Sequence, residues 1–221
     1  MRAGPAASPE TLELLLRERR SVRSYTPDPV PQAVLERILN AGRYAPTGTN
    51  SQNVRYVVLG SPDQISALRT MTIRFYDTIF SRASGTLGGW VLSFVAGRKT
   101  LEYLREFLPK VAFAREQVKA GGDPLFYHAP VLILAHAESW DPCSSFNCSV
   151  ALYHCSLMAH TLGLGCCFNG FVVNAVNHDR KIRKWLAIPP GHQCYSAMTL
   201  GFQNVTYWRL VPRDPARVTW R

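Results

Sequence analysis

The sequence predicts an α+β layered domain, and three observations carry that reading. Short β-prone runs at Arg55–Leu59, Val131–Ala135, Cys166–Phe168 and Tyr195–Phe202 alternate with segments of helical periodicity, and no repeat or linker interrupts them. The stretch Asn147 to Phe171 opens with a helix that has almost no polar face, since Ala151, Leu152, Cys155, Leu157, Met158, Ala159 and Leu162 surround it. A helix apolar nearly all round is a buried one. The chain has 221 residues, of which 47% are hydrophobic, so it suits one large domain or two small ones and can bury a core.

Taken in order, Pro9-Glu10-Thr11 opens a first helix whose Leu12, Leu15 and Leu16 face inward. It runs into Arg17 to Tyr25, with four arginines within seven residues and two serines beside them. Arginine presents a planar fork that matches phosphate oxygens, so this is either an anion pocket or a solvated helix end. A turn, Thr26 to Pro31, leads to a helix from about Gln32 to Gly42 with Val34, Leu35, Ile38 and Leu39 inside. The loop Tyr44 to Asn53 is small and polar. It reads as a set of donors for a flat polar ligand or as an ordinary surface loop.

Ser61-Pro62-Asp63 starts a third helix, and residues of about 72–122 read as a helical insert or lid closed by Gly121-Gly122-Asp123-Pro124. Asn147 or Ser149 is placed to cap the central helix, and Gly163 or Gly165 to stop it. Asn169-Gly170 reads as a turn, Asp179–Leu186 as a helix, and the aromatic, proline-rich tail from about 203 to 221 as an extended arm.

The net charge of +10 admits nucleic acid, an anionic membrane, or an anionic ligand or redox partner. The basic residues are spread out, and no run has the density of a nucleic-acid tail. Thr86–Gly97 is too short and glycine-rich to span a bilayer. The six cysteines form no CxxC pair and no zinc or iron–sulfur spacing, so no metal is expected. The N-terminus shows no signal peptide, and a reducing, cytoplasmic setting is expected.

Four segments together resemble the nitroreductase family of FMN-dependent oxidoreductases. They are Arg19 to Tyr25, Ala45 to Gln52, the helix end Ala159 to Cys166, and Leu200-Gly201-Phe202 with the basic tail Arg209 to Arg213. The insert and tail look closest to a ferredoxin-associated subgroup. The resemblance implies a nitroreductase-like fold, a central mixed β-sheet flanked by helices, in an intertwined homodimer with FMN at the subunit interface. It assigns Arg19, Arg20, Ser21 and Arg23 to the FMN phosphate, ribityl chain and ring. Asn50, with Thr47 and Gln52, would approach the ring from the other subunit.

Asn169 and Gly170 would offer a backbone N–H to flavin N5, with Cys167 and Phe168 against the ring. Arg209 or Arg213 would pair with the phosphate. The implied function is two-electron, ping-pong reduction of a small electron-poor acceptor, nitroaromatic- or quinone-like. The donor would be NAD(P)H or a reduced, acidic, ferredoxin-like protein; a non-catalytic flavin carrier or sensor is the alternative. Asn169 stands where many nicotinamide-using relatives carry an acid. Cys166 and Cys167 either pack or couple a thiol to the flavin.

Overall fold

In a computed structural model the described residues are 7–83 and 112–221. Six α-helices, one 3-10 helix (Gly48–Asn50) and four strands are bounded within them. The α-helices and strands are α1 (Pro9–Glu18), α2 (Gln32–Gly42), β1 (Arg55–Leu59), α3 (Pro62–Ala83), β2 (Val131–Glu138), α4 (Ser144–Thr161), β3 (Leu164–Phe168), α5 (Gly170–His178), α6 (Arg180–Trp185) and β4 (His192–Phe202). Residues 112–119 are helical as well. Of the expected 72–122 insert, the first part continues α3, and residues 84–111 lie outside the described residues.

The sheet has the order β1-β2-β4-β3, and all its strand pairs are antiparallel. Among the described residues, the parallel component expected of a mixed sheet is confined to one bridge, Ser21 to Cys166. β2 is the middle of the structure. Side chains alternate faces along a strand, and both faces of β2 are covered. Leu132 and Leu134 join Phe126, Leu68, Val172, Val176 and Ile182 on the side of α3, α5 and α6. Val131 and Ile133 join Ile38, Leu152, Cys155, Met198 and Leu200 on the side of α2 and α4. Each large aliphatic group so buried is worth about 1.5–3 kcal/mol, which is why a run as apolar as Val-Leu-Ile-Leu-Ala can only sit here.

Two expectations about apolar helices need correction. α4 begins at Ser144 with Cys143 as its N-cap, so Asn147 is one turn inside the helix and not its cap. Its end is as expected, with Gly163 at φ +78° just beyond Thr161. Only one side of α4 is buried, through Asn147, Cys148, Ala151, Leu152, Cys155 and Ala159; Phe146 and Tyr153 are 57% and 37% exposed. α1 buries none of its residues, and Leu12 and Leu16, expected inside, are exposed. The sheet is already covered on both faces, so α1 can lie only against α4 on the outside.

The expected turn at Asn169-Gly170 is instead a helix start. Asn169 Oδ1 accepts the Val172 N–H at 3.1 Å, and Val172, Ala175 and Val176 are buried at helical spacing. Asp179 caps the next helix in the same way. The tail carries no helix, as expected, and Trp208 and Trp220 are 90% and 89% exposed. Among the described residues no helix is long and apolar enough to cross a membrane.

At the far end of β2 and β4, beyond a bulge at Ala135/His136, two buried imidazoles meet. His136 Nδ1 lies 3.1 Å from His192 Nδ1, and His192 Nε2 lies 3.6 Å from Glu138 Oε1. One ring must donate and the other accept, so the pair tolerates no second proton. Burial, then the neighbouring His192 and Arg55, push the His136 pKa down to about 4, against an opposing pull from Glu138. The unfolded chain therefore binds a proton at higher pH than the folded one. Stability should fall as pH drops from about 6.5 to about 4, by at most about 1.4 kcal/mol per pH unit. Denaturant melts at pH 7, 5.5 and 4 should show this slope, and His136→Gln should flatten it. An unchanged slope in the variant would remove the pair as its source.

Candidate functional site

The site grows from the end of α1. Arg19 leaves the helix at φ −57°, ψ 121°, and the chain then runs extended beside the sheet. Ser21 bridges Cys166, the Val22 N–H donates to Cys166 O at 2.9 Å, Tyr25 bridges Gln203, and the Thr26 N–H donates to Phe202 O at 2.9 Å. Val22 and Tyr25 are buried, and the Tyr25 hydroxyl is shared between Val22 O at 2.7 Å and Thr199 Oγ1 at 2.8 Å. The seat for Val22 is Gly165, where a Cβ would stand 2.6 Å from the valine side chain. Glycine at 165 therefore serves a close approach of strand to strand.

With Val22 and Tyr25 buried, the polar side chains between and before them are turned to a cleft of about 300 Å³. Arg19, Arg20, Ser21, Arg23, Tyr207, Val211 and Arg213 line it. Four arginines meet there without a carboxylate. The guanidinium carbon of Arg20 lies 4.6 Å from the Tyr207 ring centre, and that of Arg23 lies 5.9 Å from Tyr127. Arg19 stands 6.0 Å from Tyr153, and its Nε is buried without a hydrogen-bond partner. A buried, unanswered donor among like charges is what a phosphate would satisfy.

Arg213, of the two tail arginines, lines this cleft; Arg209 lines an adjoining one of about 350 Å³ with Arg17, Arg20, His160, Tyr207 and Trp208. Cys166 and Cys167 alternate on β3. Burial pushes the Cys166 thiol up to about 11 against the pull of Arg19, and pushes Cys167 up against Arg23. Both thiols are therefore protonated at neutral pH, which suits packing. Phe168 is partly exposed at the end of β3. The Asn169 side chain is committed to its cap and to Leu125 O at 2.7 Å, and its own N–H goes to Ala197 O at 2.9 Å. That leaves the Gly170 N–H, in the first turn of α5, with no carbonyl of its own helix to reach.

Thr47, Asn50 and Gln52 are elsewhere in the chain's fold. Thr47 and Gln52 line a cleft of about 230 Å³ that shares no lining residue with the arginine cleft. The loop is strained: Thr49, Asn50 and Gln52 have φ of 53°, 55° and 48°. Such residues cost of order 1 kcal/mol each and persist only where their surroundings fix them. The loop closes on itself, with the Asn50 N–H on Thr47 O at 3.0 Å and the Gln52 N–H on Thr47 Oγ1 at 3.1 Å, and its flanks are tied to Asn147, fully buried in α4. Its Oδ1 accepts the Gly48 N–H at 3.0 Å, and its Nδ2 donates to Asn53 Oδ1 at 3.1 Å. Asn53 in turn donates to Asp141 Oδ2 at 2.8 Å. Sequence reasoning missed Asn147 in this role; the available signal was an asparagine inside an otherwise apolar helix.

The sequence matches the Nitroreductase family over residues 16–202, which is most of the chain. The chain belongs to the nitroreductase family. A curated NADH dehydrogenase of Thermus thermophilus is 46% identical over 52 residues, 24% of this chain and 25% of that protein. The match thus spans about a quarter of that relative's length. A nitroreductase with bound FMN from Desulfitobacterium hafniense DCB-2 has a TM-score of 0.67 at 20% identity, covering 96% of this chain and all of that one. An FMN- and NADPH-dependent nitroreductase from Sphigopyxis sp. strain HMH has a TM-score of 0.65 at 19% identity, covering 95% and 98%. At these identities the structural likeness concerns the fold.

In this nitroreductase fold the Val22–Gly165 contact sets the arginines. Gly165→Ala should lower stability by about 1–3 kcal/mol through overpacking, read from denaturant melts. Val22→Ala in the same chain should recover part of the loss. Additive losses in the double variant would show that the two positions do not press on each other.

Proposed function

We propose that this protein is an FMN-dependent oxidoreductase that reduces a small, flat, electron-poor acceptor, nitroaromatic- or quinone-like, in two-electron ping-pong turnover. The observation that carries the reading is the arginine cleft with its unanswered Arg19 Nε. FMN ends in a phosphate, and its ring, when bound, takes electrons from the donor and passes them to the acceptor. Arg19, Ser21 and Arg213 would hold the phosphate. Arg23 would face the ring and favour its reduced, anionic form, and the Gly170 N–H would meet N5. Cys167 and Phe168 would bear on the ring face.

Of the second group, Thr47 and Gln52 line a separate cleft, and Asn50 lies in the same loop. A homodimer, in which the loop of a second copy closes over the flavin, would unite the two groups. The exposed Leu12, Leu14, Leu16, Phe146 and Tyr153 of α1 and α4 are the apolar surface that such a dimer would cover. Arg19→Ala and Arg23→Ala should each weaken FMN binding about tenfold or more, since a charge-assisted hydrogen bond is worth about 1.5–3 kcal/mol. Titration of apo-protein with FMN, followed by flavin fluorescence, measures this; full FMN retention in both variants would end the assignment.

NAD(P)H is the first candidate donor. A reduced, acidic, ferredoxin-like protein is the second, favoured by the net charge of +10, which steers acidic partners at low salt. Anaerobic stopped-flow separates them. Saturable bleaching of the flavin band by NADPH or NADH supports the first. Bleaching by reduced ferredoxin that slows as salt rises supports the second. Reoxidation by nitroaromatics or quinones is expected of the enzyme and not of a flavin carrier or sensor.

A further inference from the structure

Residues 203–209 are zipped along the arginine segment. Tyr25 bridges Gln203, the Asn204 N–H donates to Ser24 O at 2.9 Å, and Ser24 Oγ donates to Asn204 O at 3.4 Å. The last tooth is Arg20, whose Nη1 donates to Arg209 O at 3.3 Å while its guanidinium lies over the Tyr207 ring. Beyond Arg209, among the described residues, no hydrogen bond or ion pair holds the tail to the body. Val211 and Arg213 nevertheless line the arginine cleft.

We propose that Arg20 is a positioning residue, a latch that pins the tail at Tyr207 and Arg209 and thereby delivers Arg213 to the flavin phosphate. The inference rests on the FMN reading above. Arg20 lines both the arginine cleft and the adjoining cleft of Arg17, Arg209 and His160, so with Tyr207 it forms the wall between them. One of its N–H donors and its flat face are engaged by the tail. A guanidinium does both at once because it is planar; an ammonium cannot stack and bridge in the same way.

Without this tooth the nearest anchor of Arg213 is Val205, packed on Val22 and Tyr25, instead of Arg209, which roughly doubles the tether. Effective concentration falls with about the −3/2 power of tether length, so Arg213 would be about threefold less available, and more if Tyr207 also lets go. The dependence on Arg20 should therefore vanish once Arg213 is gone.

The test uses the full chain with Arg20→Ala, Arg20→Lys, Tyr207→Leu, Arg213→Ala and the Arg20→Ala/Arg213→Ala double variant. FMN affinity is read by fluorescence titration, and tail release by the rate of chymotrypsin cleavage at the tail aromatics. Arg20→Ala, Arg20→Lys and Tyr207→Leu should each weaken FMN roughly three- to tenfold and speed tail cleavage several-fold, with or without FMN. Tyr207→Leu keeps every arginine, so its loss cannot come from charge. The double variant should bind FMN no more weakly than Arg213→Ala. Three results would overturn the latch: weaker FMN binding with unchanged tail cleavage, wild-type behaviour of Arg20→Lys, or multiplying losses in the double variant. If the wild-type chain binds no FMN, the flavin reading fails by itself, and the cleavage rates still decide whether Arg20 holds the tail.

Discussion

The short extended segment from Arg20 to Thr26, pressed against β3 and β4, is the constraint on which the site depends. It is held by backbone hydrogen bonds to Cys166 and Phe202, by Val22 seated on Gly165, and by the Tyr25 hydroxyl bonded to Val22 O and Thr199. None of these interactions uses an arginine side chain. The backbone and the two buried residues fix the segment, and the arginines are carried along. Like charges about 5 Å apart repel by roughly 1–3 kcal/mol at a protein surface. A cluster of four with no acid among them is stable only because the segment under it is anchored independently. That separation of duties leaves the guanidinium groups able to answer a ligand.

The same segment has a second edge. On it lies the chain after β4, from Gln203 to Arg209, so one strip of backbone aligns the sheet, the arginines and the tail. Arg20 and Tyr207 meet where the strip ends. The cleft is therefore built by residues nearly two hundred positions apart, brought together by antiparallel pairing of β3 with β4 and by the one parallel bridge at Ser21.

A comparable division holds in the Thr47–Gln52 loop. Three non-glycine residues with positive φ sit in a loop closed by its own bonds to Thr47 and tied at Gly48 and Asn53 to one buried amide, Asn147, projecting from the helix that also fills the core beneath β2. Packing and site geometry thus share α4. Its opposite side, with Phe146 and Tyr153 exposed beside the leucines of α1, presents an apolar surface that the chain's own sheet has no room to cover.

The layered α+β plan was legible in the sequence, because short β-prone runs alternate with helical segments and the apolar α4 needs a core to bury it. So was much of the chemistry of the cluster, since three of its four arginines, Arg19, Arg20 and Arg23, lie close together in the chain. Family membership was legible as well, in motifs that lie far apart in the chain but keep their order. Element ends set by caps were less legible. Asn169 reads equally as a turn residue and as an N-cap, and only the burial of Val172, Ala175 and Val176 chose the cap.

Tertiary structure alone decided the contacts of high sequence separation. It selected Arg213 over Arg209 as the tail arginine in the arginine cleft, turned Arg20 toward Tyr207, and placed Asn147 under the strained loop. It also left α1 outside the core, although its leucine pattern reads as buried. The physical reason is common to all four. Periodicity reports that a face is apolar or charged, whereas the partner of that face depends on which backbone hydrogen bonds close between distant strands.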